Sequence, residues 1–318
     1  MNAVVYALKR AALFAASLII SSLLIFFLLR LLPGNIAQSQ LGMNASPEAL
    51  AQLESEYGLD KPVVAQYADW LTKAVRGDLG TSMLTGADIA DEIAAKATVT
   101  LPLIALASVF ALLIALPVGM LSALRHRKLD GFALNTTSQF GIAVPTFWMG
   151  VMLISLFALR TSLFPAGGFP DEGWSAWSEC LRSLALPAIT LGLAQGAVLA
   201  RFARSATLDV MQQDYFRTAR ATGLTRARAL HVHGVRNALI PVISVLGVQI
   251  STLIVGAIVV ENVFALPGIG QMLLQDVAIR DYPKVQGIAV SATAMVFVVG
   301  LLIDIAIAAA DPRARRTS

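Results

Sequence analysis

The chain has 318 residues, 57% of them hydrophobic and only 14% charged, with a formal net charge of +4. Its mean hydropathy is +0.71 and its pI about 9.4. A soluble domain carries roughly 45–50% apolar and about 25% charged residues, which excludes a disordered tail, a fibrous protein and a water-soluble enzyme of ordinary surface. At roughly 100–200 residues per domain the length would allow two domains, but long uncharged runs ask for a bilayer instead.

Six such runs lie between successive charges: Ala11–Leu29, Ala97–Leu124, Gly131–Leu159, Ser183–Ala200, Asn237–Val260 and Val285–Ile303, of 19, 28, 29, 18, 24 and 19 residues. A hydrocarbon core about 30 Å thick needs about 20 apolar residues of helix. The pattern predicts an all-α polytopic membrane protein with six transmembrane helices. The first run is longer than the roughly 7–15 apolar residues of a cleaved leader. No Ala-x-Ala site stands at its exit through Arg30-Leu31-Leu32-Pro33-Gly34, so a retained helix is expected within 1–32.

Segment 33–96 is the largest piece outside the runs. Ser46-Pro47-Glu48 reads as a helix start, with Ser at the N-cap, Pro at N1 and acid in the first turn. Gly58 should end that helix, and Pro62 should open another through Trp70 to Val75. Gly77-Asp78-Leu79-Gly80-Thr81-Ser82 is turn-rich. A small helical cap is expected here rather than an independent module.

The remainder, 97–310, reads as a core of five helices followed by a tail at 311–318. Arg125 to Asp130 makes a tight basic turn. Pro117, Pro145 and Pro187 fall inside runs, where each predicts a kink. No internal repeat is evident. Loop 201–236 lacks a loop's composition: Asp209 to Thr222 contains neither Gly nor Pro and reads as helix continuing from the fourth run. Gly223 suits a left-handed C′ position, and Thr225 can cap a second helix ending near Arg236. Two helices should therefore meet at an elbow ringed by Arg217, Arg220, Arg226, Arg228 and Arg236, with Leu224 and Leu230 free to fill a partner's apolar groove.

Orientation follows from the basic residues. Segments 1–10, 125–130, 201–236 and 311–318 hold 15 of the 24 Lys and Arg, whereas 33–96 holds nine of the 20 acidic residues. Basic segments stay cytoplasmic, so both termini and the elbow are expected inside, and the high pI reflects topology rather than nucleic-acid affinity. Catalytic signals are missing. No Gly-Lys dipeptide occurs, so the chain has no phosphate-binding loop. His126, His231 and His233 all lie in inside segments, which leaves no histidine for intramembrane hydrolysis. His231 and His233 are two apart, unlike the four-residue spacing of zinc-binding pairs on helices. Cys180 has no internal partner for a disulfide. Within the runs, Gln139, Gln195 and Gln249 are candidates for helix–helix hydrogen bonds or for lining a pathway. Asp304 is an intramembrane acid near the inner exit, expected to pair with a basic residue or to relay protons.

Four groups of residues carry a resemblance. Tyr57-Gly58-Leu59-Asp60-Lys61-Pro62 with Arg76-Gly77-Asp78-Leu79-Gly80-Thr81-Ser82 is the first. Pro145-Thr146-Phe147-Trp148-Met149-Gly150 with Phe164-Pro165-Ala166-Gly167-Gly168 is the second. The third is Asp214-Tyr215-Phe216-Arg217-Thr218-Ala219-Arg220-Ala221-Thr222-Gly223, with His233 and Arg236-Asn237-Ala238-Leu239-Ile240-Pro241. The fourth is Glu261 through Phe264-Ala265-Leu266-Pro267-Gly268-Ile269-Gly270, with Arg280-Asp281-Tyr282-Pro283. Together they resemble the permease subunits of binding-protein-dependent ABC importers, in the dipeptide/oligopeptide/nickel branch. Arg217-Thr218-Ala219 stands where ABC permeases in general carry Glu-Ala-Ala before the glycine, a departure common in the peptide branch, so only the acidic role fails to transfer.

The resemblance implies a type I importer subunit in a bacterial plasma membrane. A second related permease, two cytoplasmic ATPases and an external solute-binding protein would be its partners. It further implies that this chain binds no cofactor, with ATP and Mg held by the ATPases, and that the cargo is a short peptide. By the same resemblance His233 and Asn237 join the elbow residues as an ATPase-coupling loop. Nickel chelates, or another small solute, remain alternative cargoes. An ion-coupled secondary transporter is a more distant alternative, since it should show inverted repeats and charged residues at mid-membrane.

Overall fold

The computed structural model describes residues 3–31, 46–56, 60–126 and 128–310. Among them every regular element is helical, and the only strand-like feature is an isolated bridge between Thr81 and Asp88. The expected helix end at Gly58 and the tail at 311–318 lie outside the described residues. Contacts divide the chain into two compact units, Met1–Val99 with Gly268–Val298, and Thr100–Pro267 with Val299–Ser318.

The first unit contains α1 (Ala3–Leu31), α2 (Pro47–Glu56), α3 (Val63–Ala74) and the start of α4 (Ile89–Leu124), with α11 (Ile269–Ile279) and most of α12 (Tyr282–Ala310). Helix starts follow local chemistry. The Ala49 amide donates to Ser46 Oγ at 3.2 Å, and Pro62 stands just before α3. Tyr67 on α3 reaches α1, its hydroxyl 2.9 Å from Ser22 Oγ and its ring edge-on to Phe26 at 5.3 Å. Gly77 and Gly80 take the φ values of +89° and +88° that the turn between α3 and α4 needs.

Charge is buried in this unit. Lys284 Nζ lies 2.5 Å from Glu92 Oε2 and 3.3 Å from Asp276 Oδ1, with side-chain exposures of 10%, 31% and 5% respectively. Ser82 Oγ donates to Asp281 Oδ2 at 2.5 Å, and the Lys284 amide lies 3.4 Å from Asp281 Oδ1. Arg280, at φ +62°, turns the chain so that the Asp281 amide donates to the Asp276 carbonyl at 3.0 Å. A clasp of three carboxylates and one ammonium thus ties the starts of α4 and α12 to α11. Ile269, Met272 and Ile288 form an apolar cluster in the same unit.

The second unit contains the rest of α4, α5 (Leu129–Ala143), α6 (Thr146–Leu153) extended by a π turn over Ile154–Leu159, and α7 (Trp177–Gln212). It continues with α8 (Asp214–Ala221), α9 (Arg226–Ala229), a π turn over Leu230–Gly234 and α10 (Val235–Val263). Small residues bring α4 and α7 together, as is common where helices associate in membranes. A Cβ on Gly119 would fall 2.6 Å from the Ala200 carbonyl oxygen. Ala111, Ala115, Leu199, Ala200, Ala203 and Val242 fill the interior there. Cys180 is buried and unbridged, with its thiol against the Gly173 carbonyl at 3.0 Å.

Among the described residues five helices are long and apolar enough to cross a membrane: Lys9–Leu31, Ile89–Leu124, Gly173–Gln212, Arg226–Val263 and Tyr282–Leu302. The third predicted run is the difference. Instead of one kinked helix, Gly131–Leu159 forms two, interrupted at Val144 and Pro145. Proline pushes the preceding residue out of the helical region, and Val144 is extended at φ −79°, ψ 123°. Each piece, about 21–23 Å at 1.5 Å per residue, is shorter than a bilayer core. Pro117 and Pro187 stay inside continuous helices.

Candidate functional site

The elbow is built from α7 outward. Here α7 runs to Gln212 and stops, because Gln213 is extended at φ −70°, ψ 151°. The single helix expected from Asp209 to Thr222 is therefore two, and α8 is a separate eight-residue piece. Its end matches the expectation from sequence. Gly223 takes φ +93°, its amide donates to the Arg220 carbonyl at 3.1 Å, and the Leu224 amide donates to the Ala219 carbonyl at 3.3 Å. Arg220 Nη1 adds a bond to the Leu224 carbonyl oxygen at 2.5 Å. Thr225 caps the next helix by accepting from the Arg228 amide at 3.3 Å.

The second elbow helix does not end near Arg236. It continues through the π turn into α10, making one helical rod over Arg226–Val263. The π turn is tightly packed: a Cβ on Gly234 would lie 2.6 Å from Leu230 Cδ1 and 3.0 Å from Val210 Cγ1.

Apolar and charged faces separate cleanly. Ala206, Val210, Phe216, Ala219, Ala229, Leu230 and Ala238 pack together, with Leu224 against them. Leu230 is only 3% exposed. It holds the elbow together from inside and is unavailable to an external groove, which corrects the expectation for that residue; Leu224 is half-buried at the same cluster. Arg217, Arg220, Arg226, Arg228, His233, Arg236 and Asn237 are exposed. Arg217 has an exposed partner in Asp214 at 3.5 Å. Arg226, Arg228 and Arg236 make no ion pair among the described residues.

Of the polar candidates within the runs, two meet. Gln249 Nε2 on α10 donates to Gln195 Oε1 on α7 at 3.0 Å, a helix–helix hydrogen bond between apolar stretches. Gln139 lies on α5 and Asp304 on α12, with side chains outside the described residues. Among the described residues no group of His, Cys, Asp and Glu could hold a metal ion. Sequence reasoning passed over Phe216 and Tyr215. Phe216 and Ala219 are three apart on one helix face, a spacing that marks the buried side of α8. Tyr215 accepts a hydrogen bond from Asn237 Nδ2 at 3.0 Å.

Residues 115–316 match the family described as binding-protein-dependent transport system inner membrane component. Residues 4–89 match the N-terminal segment of such membrane components. The chain is 36% identical to the dipeptide transport system permease protein DppB of Escherichia coli, covering 98% of both chains. A Brucella abortus protein named for a peptide transport system permease is 38% identical over 97% of this chain and 98% of its own. The glutathione transport system permease protein GsiC of Escherichia coli is 36% identical over 98% of each.

Proposed function

The chain belongs to the family of binding-protein-dependent transport system inner membrane components, and from that premise we propose that it is half of the pathway of an ATP-driven importer of short peptides. It is a membrane-spanning permease of the bacterial inner membrane. Its partners in this reading are a second permease, two ATPases that hold ATP and Mg, and a solute-binding protein outside. ATP hydrolysis lies with the ATPases, and the elbow receives them on the cytoplasmic side, where the Lys and Arg bias puts it.

The observation that carries the reading is the elbow itself. It is an ordered, capped pair of helices with its apolar side inward and its arginines outward, in a chain without a phosphate-binding loop. Full-length similarity to a dipeptide permease supports a peptide cargo; the glutathione permease, whose cargo is itself a small peptide, points the same way.

Reconstitution tests this. Vesicles holding only this chain should show no peptide uptake, and uptake should appear once the second permease, the ATPases, the binding protein and ATP are added. Uptake by the single chain driven by a proton gradient would overturn the proposal in favour of an ion-coupled transporter.

A further inference from the structure

Helix α8 is joined to its neighbours by two non-helical links, Gln213 before it and Gly223 after it. Phe216 and Ala219 seat its inner side in the apolar cluster, whose contacts carry no directional preference of their own. On the outer side, one directional contact reaches α10: Asn237 Nδ2 donates to the Tyr215 hydroxyl at 3.0 Å, across 22 residues of sequence.

The register that makes this contact is set by the π turn at Leu230–Gly234. One π turn is equivalent to inserting a residue into an α-helix, which rotates everything downstream by about 100°. Asn237 stands three residues after that turn, so its direction depends on it. Gly234 pins the turn against Val210 of α7. Further along the same rod, about 18 Å at 1.5 Å per residue, Gln249 meets Gln195 of α7.

We infer that Tyr215 and Asn237 are a positioning pair, a strut that passes displacement of α8 into rotation of α10. The inference rests on the ATPases docking at the elbow. Both partners are exposed, so water can satisfy either group when the bond is absent, and the bond adds little to folding. Its contribution is geometric. With the apolar cluster it gives α8 two points of attachment, so α8 moves with α10 rather than rolling over it.

The test uses the assembled importer in lipid, with Tyr215→Phe, Asn237→Ala, the double variant and Asn237→Asp. Two quantities are read, basal ATPase and the stimulation of ATPase and transport by solute-loaded binding protein. Each single variant should assemble and lose about 2- to 10-fold in the ratio of stimulated to basal ATPase, the span of one ordinary hydrogen bond. The double variant should be no worse than either single one. Asn237→Asp should recover stimulation, because the tyrosine hydroxyl can then donate to the carboxylate. Wild-type stimulation in both single variants, additive losses, or a proportional fall in assembly and both activities would each overturn the strut. A wild-type complex without any stimulation would instead overturn the proposed function.

Discussion

The clasp of the first unit and the elbow of the second use charge in opposite ways. In the clasp, Lys284 and Asp276 are 10% and 5% exposed and meet each other and Glu92 directly. In the elbow, the arginines are outside and the packed interior is Phe216, Leu230 and alanines. Taking charges from water costs several kcal/mol per ion unless geometry and extra hydrogen bonds offset it, so the clasp fixes one arrangement and is expensive to disturb. Exposed charges contribute little to folding, which leaves the elbow's arginines available to something outside the chain. Buried charge here serves the fold, and in the proposed function exposed charge serves assembly.

Removing the clasp's cation should give the largest effect. Lys284→Met leaves Asp276 buried beside Glu92 and Asp281 with no cation against it among the described residues, a change worth about 3–5 kcal/mol. Thermal unfolding in detergent should show a much lower midpoint. Burial already holds the Asp276 carboxyl above the usual carboxylate range, with Lys284 opposing that shift. A raised carboxylate pKa favours the fold most in acid and loses that contribution as pH rises through the shifted value. The Lys284→Met defect should therefore shrink as pH falls and Asp276 takes up a proton. A defect independent of pH would show that Asp276 is not what the lysine compensates.

At the elbow, Gly223→Val should cost less in folding and more in function. A β-branched residue at φ +93° is strained by about 1–3 kcal/mol, while nothing within 4 Å blocks the new Cβ. The variant should reach the membrane yet fail to transport. Transport at the wild-type rate would remove the elbow from the coupling path. The smallest folding effect belongs to Arg226→Ala with Arg228→Ala. These exposed residues should change stability by no more than about 0.5 kcal/mol, while co-purification of the ATPases falls. Equal destabilisation by this pair and by Lys284→Met would erase the contrast between the two regions.

What was legible in the sequence was what local chemistry decides. Ser46, Pro62, Gly223 and Thr225 mark helix ends through their own hydroxyls, rings or missing Cβ, and each stands where its chemistry placed it. The elbow's existence followed from those caps. What escaped was decided by contacts distant in sequence. Ser82 and Asp281 each belong to a recognisable motif, but their hydrogen bond spans 199 positions. The π turn leaves no local signature, so the phase of α10 after it could not be read, and Leu230, at the start of that turn, is held inward by the distant cluster with Val210 and Phe216. Gln213 has no breaker's chemistry, and α7 ends there all the same. Pro145 announced a disturbance but not its size.

That size has a consequence for what may touch the second unit. The end of α5 at Ala143 leaves its last four carbonyls without intrahelical donors, and Pro145 brings no amide to answer them. Methyl and methylene groups of acyl chains offer such oxygens nothing, at a cost of several kcal/mol each, and non-helical backbone at membrane depth is tolerated only against protein or water. At membrane depth the interruption at Val144 and Pro145 therefore calls for cover by protein, this chain's own helices included, or by water, whereas lipid can wet the uninterrupted rods.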